Sequence, residues 1–211
     1  MAVRWYLAYS LSYRNIEELM AERGVCVDHS TTNRWVVNYV PQLDNNFRKK
    51  YKRQAGISWR MDETYIKIKG QWFYLYRAVD KAGETIDFRL SERRDEAAAK
   101  RFFIKAIDAS GKPEKVTIDK SGANNAALKS LNTSLEKENK IEIRQIKYLN
   151  NVVEQDHRFI KKITKPMMGF KSFGSAQATL AGIELHHMLR KNQHENSETT
   201  SVFKQFYALA A

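Results

Sequence analysis

Ile57-Ser58-Trp59-Arg60-Met61-Asp62-Glu63-Thr64-Tyr65-Ile66-Lys67-Ile68 and Trp72-Phe73-Tyr74-Leu75-Tyr76-Arg77-Ala78-Val79, separated by Lys69-Gly70-Gln71, decide the fold. Both runs are rich in Ile, Trp, Tyr, Phe and Thr, residue types that suit a pleated, half-buried surface, and the break between them is what a hairpin needs. A second break, Lys81-Ala82-Gly83, precedes a third run of the same kind over Thr85 to Leu90. Three consecutive antiparallel strands are therefore expected.

Downstream the apolar period lengthens. Asp95 to Ala109, with Ala97, Ala98, Phe102, Ile104 and Ala106, reads as a helix, and Lys115 to Ile118 as a short apolar strand. Ala123 to Lys137 is helical, Ile141 to Ile146 extended, and Asn151 to Ile163 and Ser175 to Lys191 helical again. Strands followed by alternating helices and strands give an α/β class with a mixed five-stranded sheet flanked by helices. This order matches the ribonuclease H architecture.

Upstream, three short helices are expected over Val3 to Tyr9, Tyr13 to Arg23 and Thr31 to Val40. Ser12 can cap the second, Gly24 ends it, and Asp28 or Ser30 can start the third, which should stop before Pro41. Helix, Gly-containing turn, helix is a helix-turn-helix pattern. The chain thus divides into a helix-turn-helix domain over 1–42, a basic linker over 43–56, a ribonuclease H-like domain over 57–193 and a tail over 194–211. The linker serves equally as a solvated spacer or as a segment that tracks phosphates.

The 211 residues include 36 Lys plus Arg against 24 Asp plus Glu, a net charge of +12. That excess favours a polyanionic partner, nucleic acid before membrane. The longest uncharged stretch, Ser172 to Ile183, is 12 residues, too short to cross a bilayer. A single cysteine, Cys26, excludes an internal disulfide framework and fits a reducing cytoplasm. The aromatic-rich start, Arg4 to Leu11, reads as a buried first helix rather than a signal peptide.

Three acids stand apart by position. Asp62 lies inside the first strand, Asp119 at the tip of the fourth, and Glu154 at the start of the helix after the fifth. Any one of them alone reads more readily as a surface or capping acid. In a ribonuclease H sheet, however, the first and fourth strands are neighbours, and a helix over their ends can complete one acidic cluster. Clustered carboxylates repel one another, and hard cations such as Mg²⁺ offset that repulsion. Two ions about 3.5 to 4 Å apart suit in-line displacement at phosphorus. Glu154, His157 and Lys161 share one helix face, but the second His or Cys ligands of a zinc site are missing.

Three blocks are similar to the bacterial DDE transposases of the insertion sequence six family. They are Ser12-Tyr13-Arg14 to Arg34-Trp35-Val36; Asp62-Glu63-Thr64-Tyr65 with Lys67, Gly70 and Trp72 to Tyr76; and Lys147-Tyr148-Leu149-Asn150-Asn151 through Glu154-Gln155-Asp156-His157-Arg158 to Gly169-Phe170-Lys171-Ser172-Phe173. The 34 residues between Asp119 and Glu154 match the family spacing, and Lys161 stands seven positions after Glu154, as its basic residue does. The resemblance implies that Asp62, Asp119 and Glu154 are the catalytic, metal-binding triad, with Mg²⁺ as cofactor and Mn²⁺ as substitute, and that Lys161 contacts transposon-end DNA. It further implies that water attack frees a 3′ hydroxyl at each element end and that this hydroxyl then attacks target DNA.

Arg158 and Lys162 extend the basic run around Lys161, and His29, Asn33 and Arg34 sit on the expected recognition helix. All are candidate contacts to double-stranded DNA, by phosphate or by base edge. Work on two ends implies a homodimer or higher oligomer acting on nucleoid DNA in the cytoplasm. Family members carry residues before the block that begins here at Ala2, so an upstream truncation is expected. The alternative reading is a truncated, non-catalytic DNA-binding remnant or repressor, and a structure-selective nuclease is a second rival.

Overall fold

The computed structural model describes residues 1–167, 169–195 and 200–210, with the backbone alone at Lys147. Helices α1 (Ala2–Ala8), α2 (Tyr13–Ala21) and α3 (His29–Lys50) precede strands β1 (Ser58–Ile68), β2 (Gln71–Val79) and β3 (Thr85–Ser91). There follow α4 (Glu96–Ser110), β4 (Lys115–Thr117), α5 (Gly122–Thr133), β5 (Glu142–Arg144), α6 (Asn151–Thr164), α7 (Phe173–Arg190) and α8 (Val202–Ala208). Two compact units result: one of Gln54–Lys67 with Gln71–Arg158, the other of Met1–Arg53, Ile68–Gly70 and the chain from Phe159 onward. Residues 159–193, expected with the sheet, are thus grouped with the N-terminal helices.

The sheet unit carries five strands in the order β3-β2-β1-β4-β5. Between β1 and β2, Lys69 and Gly70 both take positive φ, 49° and 81°. A two-residue hairpin loop of this conformation matches the twist of antiparallel strands. β2 and β3 are antiparallel, with Arg77 opposite Phe88 and an irregularity at Ala78/Val79. β4 runs parallel to β1 and β5 parallel to β4. An antiparallel meander continued by two parallel strands beyond β1 is the ribonuclease H-like topology that the sequence predicts. Trp59, Met61, Tyr76, Ile86, Phe102, Phe103, Val116 and Leu128 form the core between sheet and helices.

In the helical unit, α7 is buried on several sides and packs against α1, α3 and α8. Gly182 makes this possible. A Cβ there would lie 2.5 Å from Leu7 Cδ2 and 2.9 Å from Val40 Cγ1, so the backbones approach only because position 182 has no side chain. Ser12 and Asn15 form a reciprocal capping box, and Gly24 takes φ 74° after α2, as expected. α3 corrects the expected stop before Pro41. It runs through the proline to Lys50, so 43–50 of the expected linker is helical. Val36, Val40, Leu43 and Phe47 are buried along one stripe, and that burial outweighs the roughly 3 kcal/mol an internal proline costs. Trp35 is half-buried and Tyr39 exposed. The tail contains α8; its residues 196–199 and 211 lie outside the described residues. Among the described residues no helix is long and apolar enough to cross a membrane.

Candidate active site

The site is built where β1 and β4 run side by side. Their register pairs Trp59 with Val116 and Arg60 with Thr117. Asp62 and Asp119 each stand two residues beyond the last registered pair, Asp62 within β1 and Asp119 past the end of β4. Asp119 lies just past the end of β4, where its Oδ1 accepts the Ser121 backbone N–H at 2.9 Å and leads the chain into α5.

Helix α6 is fastened to the same part of β1 at two points. Asn150, immediately before the helix and buried, donates from Nδ2 to the Met61 carbonyl at 3.1 Å. Two turns later the buried His157 brings Nε2 to 3.4 Å from Asp62 Oδ2. Glu154 lies between these anchors, three residues before His157 and thus on its face of the helix, and is exposed. Glu154 thus stands on the stretch of α6 that touches β1, the strand that carries Asp62. The oxygens of Asp62, Asp119 and Glu154 are not gathered within 4.8 Å of one another; among the described residues only Glu17, Asp28 and His29 meet that spacing.

Strand alternation sends Glu63 to the opposite face from Asp62. It is buried, accepts from Asn124 Nδ2 of α5 at 3.0 Å, and takes a short hydrogen bond from Arg94 Nε. The Arg94 Nη2 atom is 3.9 Å from Asp119 Oδ2. Tyr76 donates to the Arg93 carbonyl at 3.4 Å, and its phenol is held above the ordinary range by burial and by Glu63 and Asp95. A buried pair, Arg77 Nη2 to Asp156 Oδ2 at 2.6 Å, fixes the turn of α6 between Glu154 and His157 to β2.

The other expected site residues are dispersed. Arg158, Lys161 and Lys162 are exposed on α6, and the Lys162 carbonyl accepts from Ser10 Oγ at 2.9 Å. Arg34 is exposed and donates to Thr31 Oγ1 at 2.7 Å within α3. Asn33 is half-buried in a cavity of about 520 Å³ shared with Tyr13 and Ser30. His29 is engaged by Glu17, whose Oε2 accepts its backbone N–H at 3.1 Å and lies 3.0 Å from Nδ1. Glu17 thereby ties α2 to the first turn of α3.

A family model described as a DDE domain matches residues 56–193. The transposase of insertion sequence-like element IS431mec from Staphylococcus aureus is 44% identical over 194 residues, covering 92% of this chain and 84% of that protein. The chain belongs to the DDE transposases of the insertion sequence six family. The transposase of insertion sequence IS257 in transposon Tn4003, also from Staphylococcus aureus, is 43% identical over the same share of both chains. Among solved structures, the dimeric form of the HTLV-2 integrase catalytic core domain with magnesium aligns at a TM-score of 0.49 with 19% identity, over 62% of this chain and 85% of that one. The catalytic core domain of BIV integrase aligns at 0.45 with 16% identity, over 63% and 84%.

As a transposase the chain is an enzyme of DNA strand cleavage and strand transfer. Its sequence had marked Asp62, Asp119 and Glu154, but not the groups that hold them. Glu63 and Arg94 were legible in part. A carboxylate next to Asp62 in an apolar strand must find a cation on the other face of the sheet, and Arg93-Arg94 before the capping Asp95 supplies one.

Proposed function

We propose that Asp62, Asp119 and Glu154 are the catalytic carboxylates of this transposase, and that together they bind Mg²⁺, with Mn²⁺ as a substitute and two ions as the working number. The observation that supports this reading is the β1–β4 register, beyond whose last pair Asp62 and Asp119 both stand two residues on, together with the two contacts of α6 with β1 on either side of Glu154. The donor set fits: three carboxylates are hard oxygen ligands, and the single Cys26 lies elsewhere in the sequence. Bound divalent ions would supply Lewis-acid stabilisation of charge developing on phosphate and leaving oxygen. Asp62 lies beside the His157 ring, Asp119 is held by the Ser121 N–H, and Glu154 rides on the helix that Asn150 and Arg77 anchor.

Each step exchanges one P–O bond for another. Water attacks the phosphodiester and a 3′ hydroxyl leaves; that hydroxyl then attacks target DNA and a second hydroxyl leaves. Arg34 and the helix-turn-helix at 1–42 read element ends, with His29 and Asn33 alongside, while Arg158, Lys161 and Lys162 hold phosphates. The working form is a homodimer or larger assembly on nucleoid DNA in the cytoplasm.

The test is strand transfer with end-containing DNA and Mg²⁺. Asp62→Ala, Asp119→Ala and Glu154→Ala should each abolish nicking and joining while end binding persists, and their losses should not add because ligation is shared. Normal transfer by any one of them removes that residue from the site.

A further inference from the structure

We infer that Arg94 is a further catalytic residue, a guanidinium held in place to grip a phosphate oxygen of the DNA strand beside Asp119. The inference rests on the reading of Asp62, Asp119 and Glu154 as the active site. Arg94 immediately precedes Asp95, the residue that caps α4 by accepting the Ala98 N–H at 2.8 Å. The residue before it is held as well: Tyr76 donates to the Arg93 carbonyl, and the Arg93 N–H reaches Ser91 Oγ at 3.3 Å.

The side chain is fixed as well. Nε donates to Glu63, whose carboxylate is 2% exposed and is also held by Asn124. A buried carboxylate with two donors is a rigid anchor. Only one edge of the guanidinium is thereby used. Nη2 stands 3.9 Å from Asp119 Oδ2, too far for a hydrogen bond, and the side chain is 37% exposed. A planar cation with its inner edge bound and its outer edge open beside an acidic site has the fork geometry that phosphate oxygens take. Glu63 and Asn124 are then positioning residues that act through Arg94, and Asn124 stands two residues into the helix that Asp119 introduces.

Removing Arg94 alone would strand the Glu63 charge. The double variant Glu63→Gln/Arg94→Gln removes both charges together, and Arg94→Lys keeps a positive charge without the fork. The nicked phosphate is first mapped with wild-type protein and Mg²⁺. We expect both variants to melt near the wild type, to keep its Mg²⁺-induced rise in melting temperature, and to nick end DNA about 100-fold more slowly. Binding in EDTA then supplies a readout that no metal enters. Replacing the mapped phosphate with an uncharged methylphosphonate should weaken wild-type binding and leave binding by the double variant unchanged.

Equal methylphosphonate losses for wild type and double variant would overturn the inference, as would wild-type nicking by Arg94→Lys. Loss of the Mg²⁺ shift in both variants would mean that Arg94 acts by shaping the metal site, which also overturns it. A wild type that shows no Mg²⁺ shift sinks the reading of the triad instead, and the EDTA comparison still decides Arg94.

Discussion

His157 places Nε2 3.4 Å from Asp62 Oδ2, and its ring is 4% exposed with neither nitrogen hydrogen-bonded. The ring therefore fills space between α6 and β1 and presents one polar edge to the carboxylate. Truncation to His157→Ala should destabilise the protein by about 2–4 kcal/mol through the cavity it leaves. His157→Phe retains the bulk. It should unfold close to the wild type in urea yet nick DNA more slowly, because Asp62 loses its polar neighbour. A His157→Phe protein with wild-type nicking would limit the residue to packing.

The open carboxylate arrangement bears on metal binding without reference to activity. If Asp62, Asp119 and Glu154 repel one another, Mg²⁺ should raise the melting temperature with a shift that grows with concentration, reaching about 2.7 kcal/mol of stabilisation at 100 times the dissociation constant. Asp119→Asn removes one charge and should reduce the shift while relieving repulsion in EDTA. Thermal melting of both proteins across a Mg²⁺ titration at fixed ionic strength makes the comparison. Equal shifts would assign the ions to another site.

The sheet was legible because hairpin breaks and β-branched, aromatic runs are local signals. Lys69-Gly70 adopts the turn its composition announces, and Ser12 and Gly24 bound α2 as read. Pro41 misled because its local preference points to a helix end, whereas the burial of Leu43 and Phe47, long-range contacts invisible in a short window, carries the helix onward. The same limit applied at the site. Asp62 and Asp119 stood out as acids in apolar strands, but that His157, Asn150 and Arg94 support them depends on which residues the register and helix placement make neighbours.

Gly182 gives a prediction confined to the helical unit. Gly182→Ala would drive a methyl to 2.5 Å from Leu7 and 2.9 Å from Val40, both fully buried. The Leu7 end can rotate within limits, but with two neighbours under 3 Å the overpacking cost of about 1–3 kcal/mol matches or exceeds the helix-propensity gain of about 1 kcal/mol. Urea unfolding followed by circular dichroism should show a lower midpoint. An unchanged or higher midpoint would mean that α1 and α3 yield to the methyl.

The last prediction concerns acid. His186 on α7 is buried, neither ring nitrogen is hydrogen-bonded, and its pKa is pushed down to about 4, first by burial and then by the charges of Arg190, Arg4 and His187. In the unfolded chain the same imidazole titrates near 6.5. Between these values the unfolded state binds the proton and the folded state does not, so stability rises with pH across that window. The contribution is complete above about pH 6.5 and lost progressively as pH falls toward 4, a span worth roughly 3 kcal/mol at most. His186→Leu keeps an apolar side chain of similar bulk and removes the proton site. Urea midpoints for wild type and His186→Leu at pH 7.5, 6 and 5 should converge in slope at the high end and separate at the low end, with the wild type losing more. Parallel pH profiles for the two proteins would show that His186 takes up its proton as readily in the folded chain as in the unfolded one.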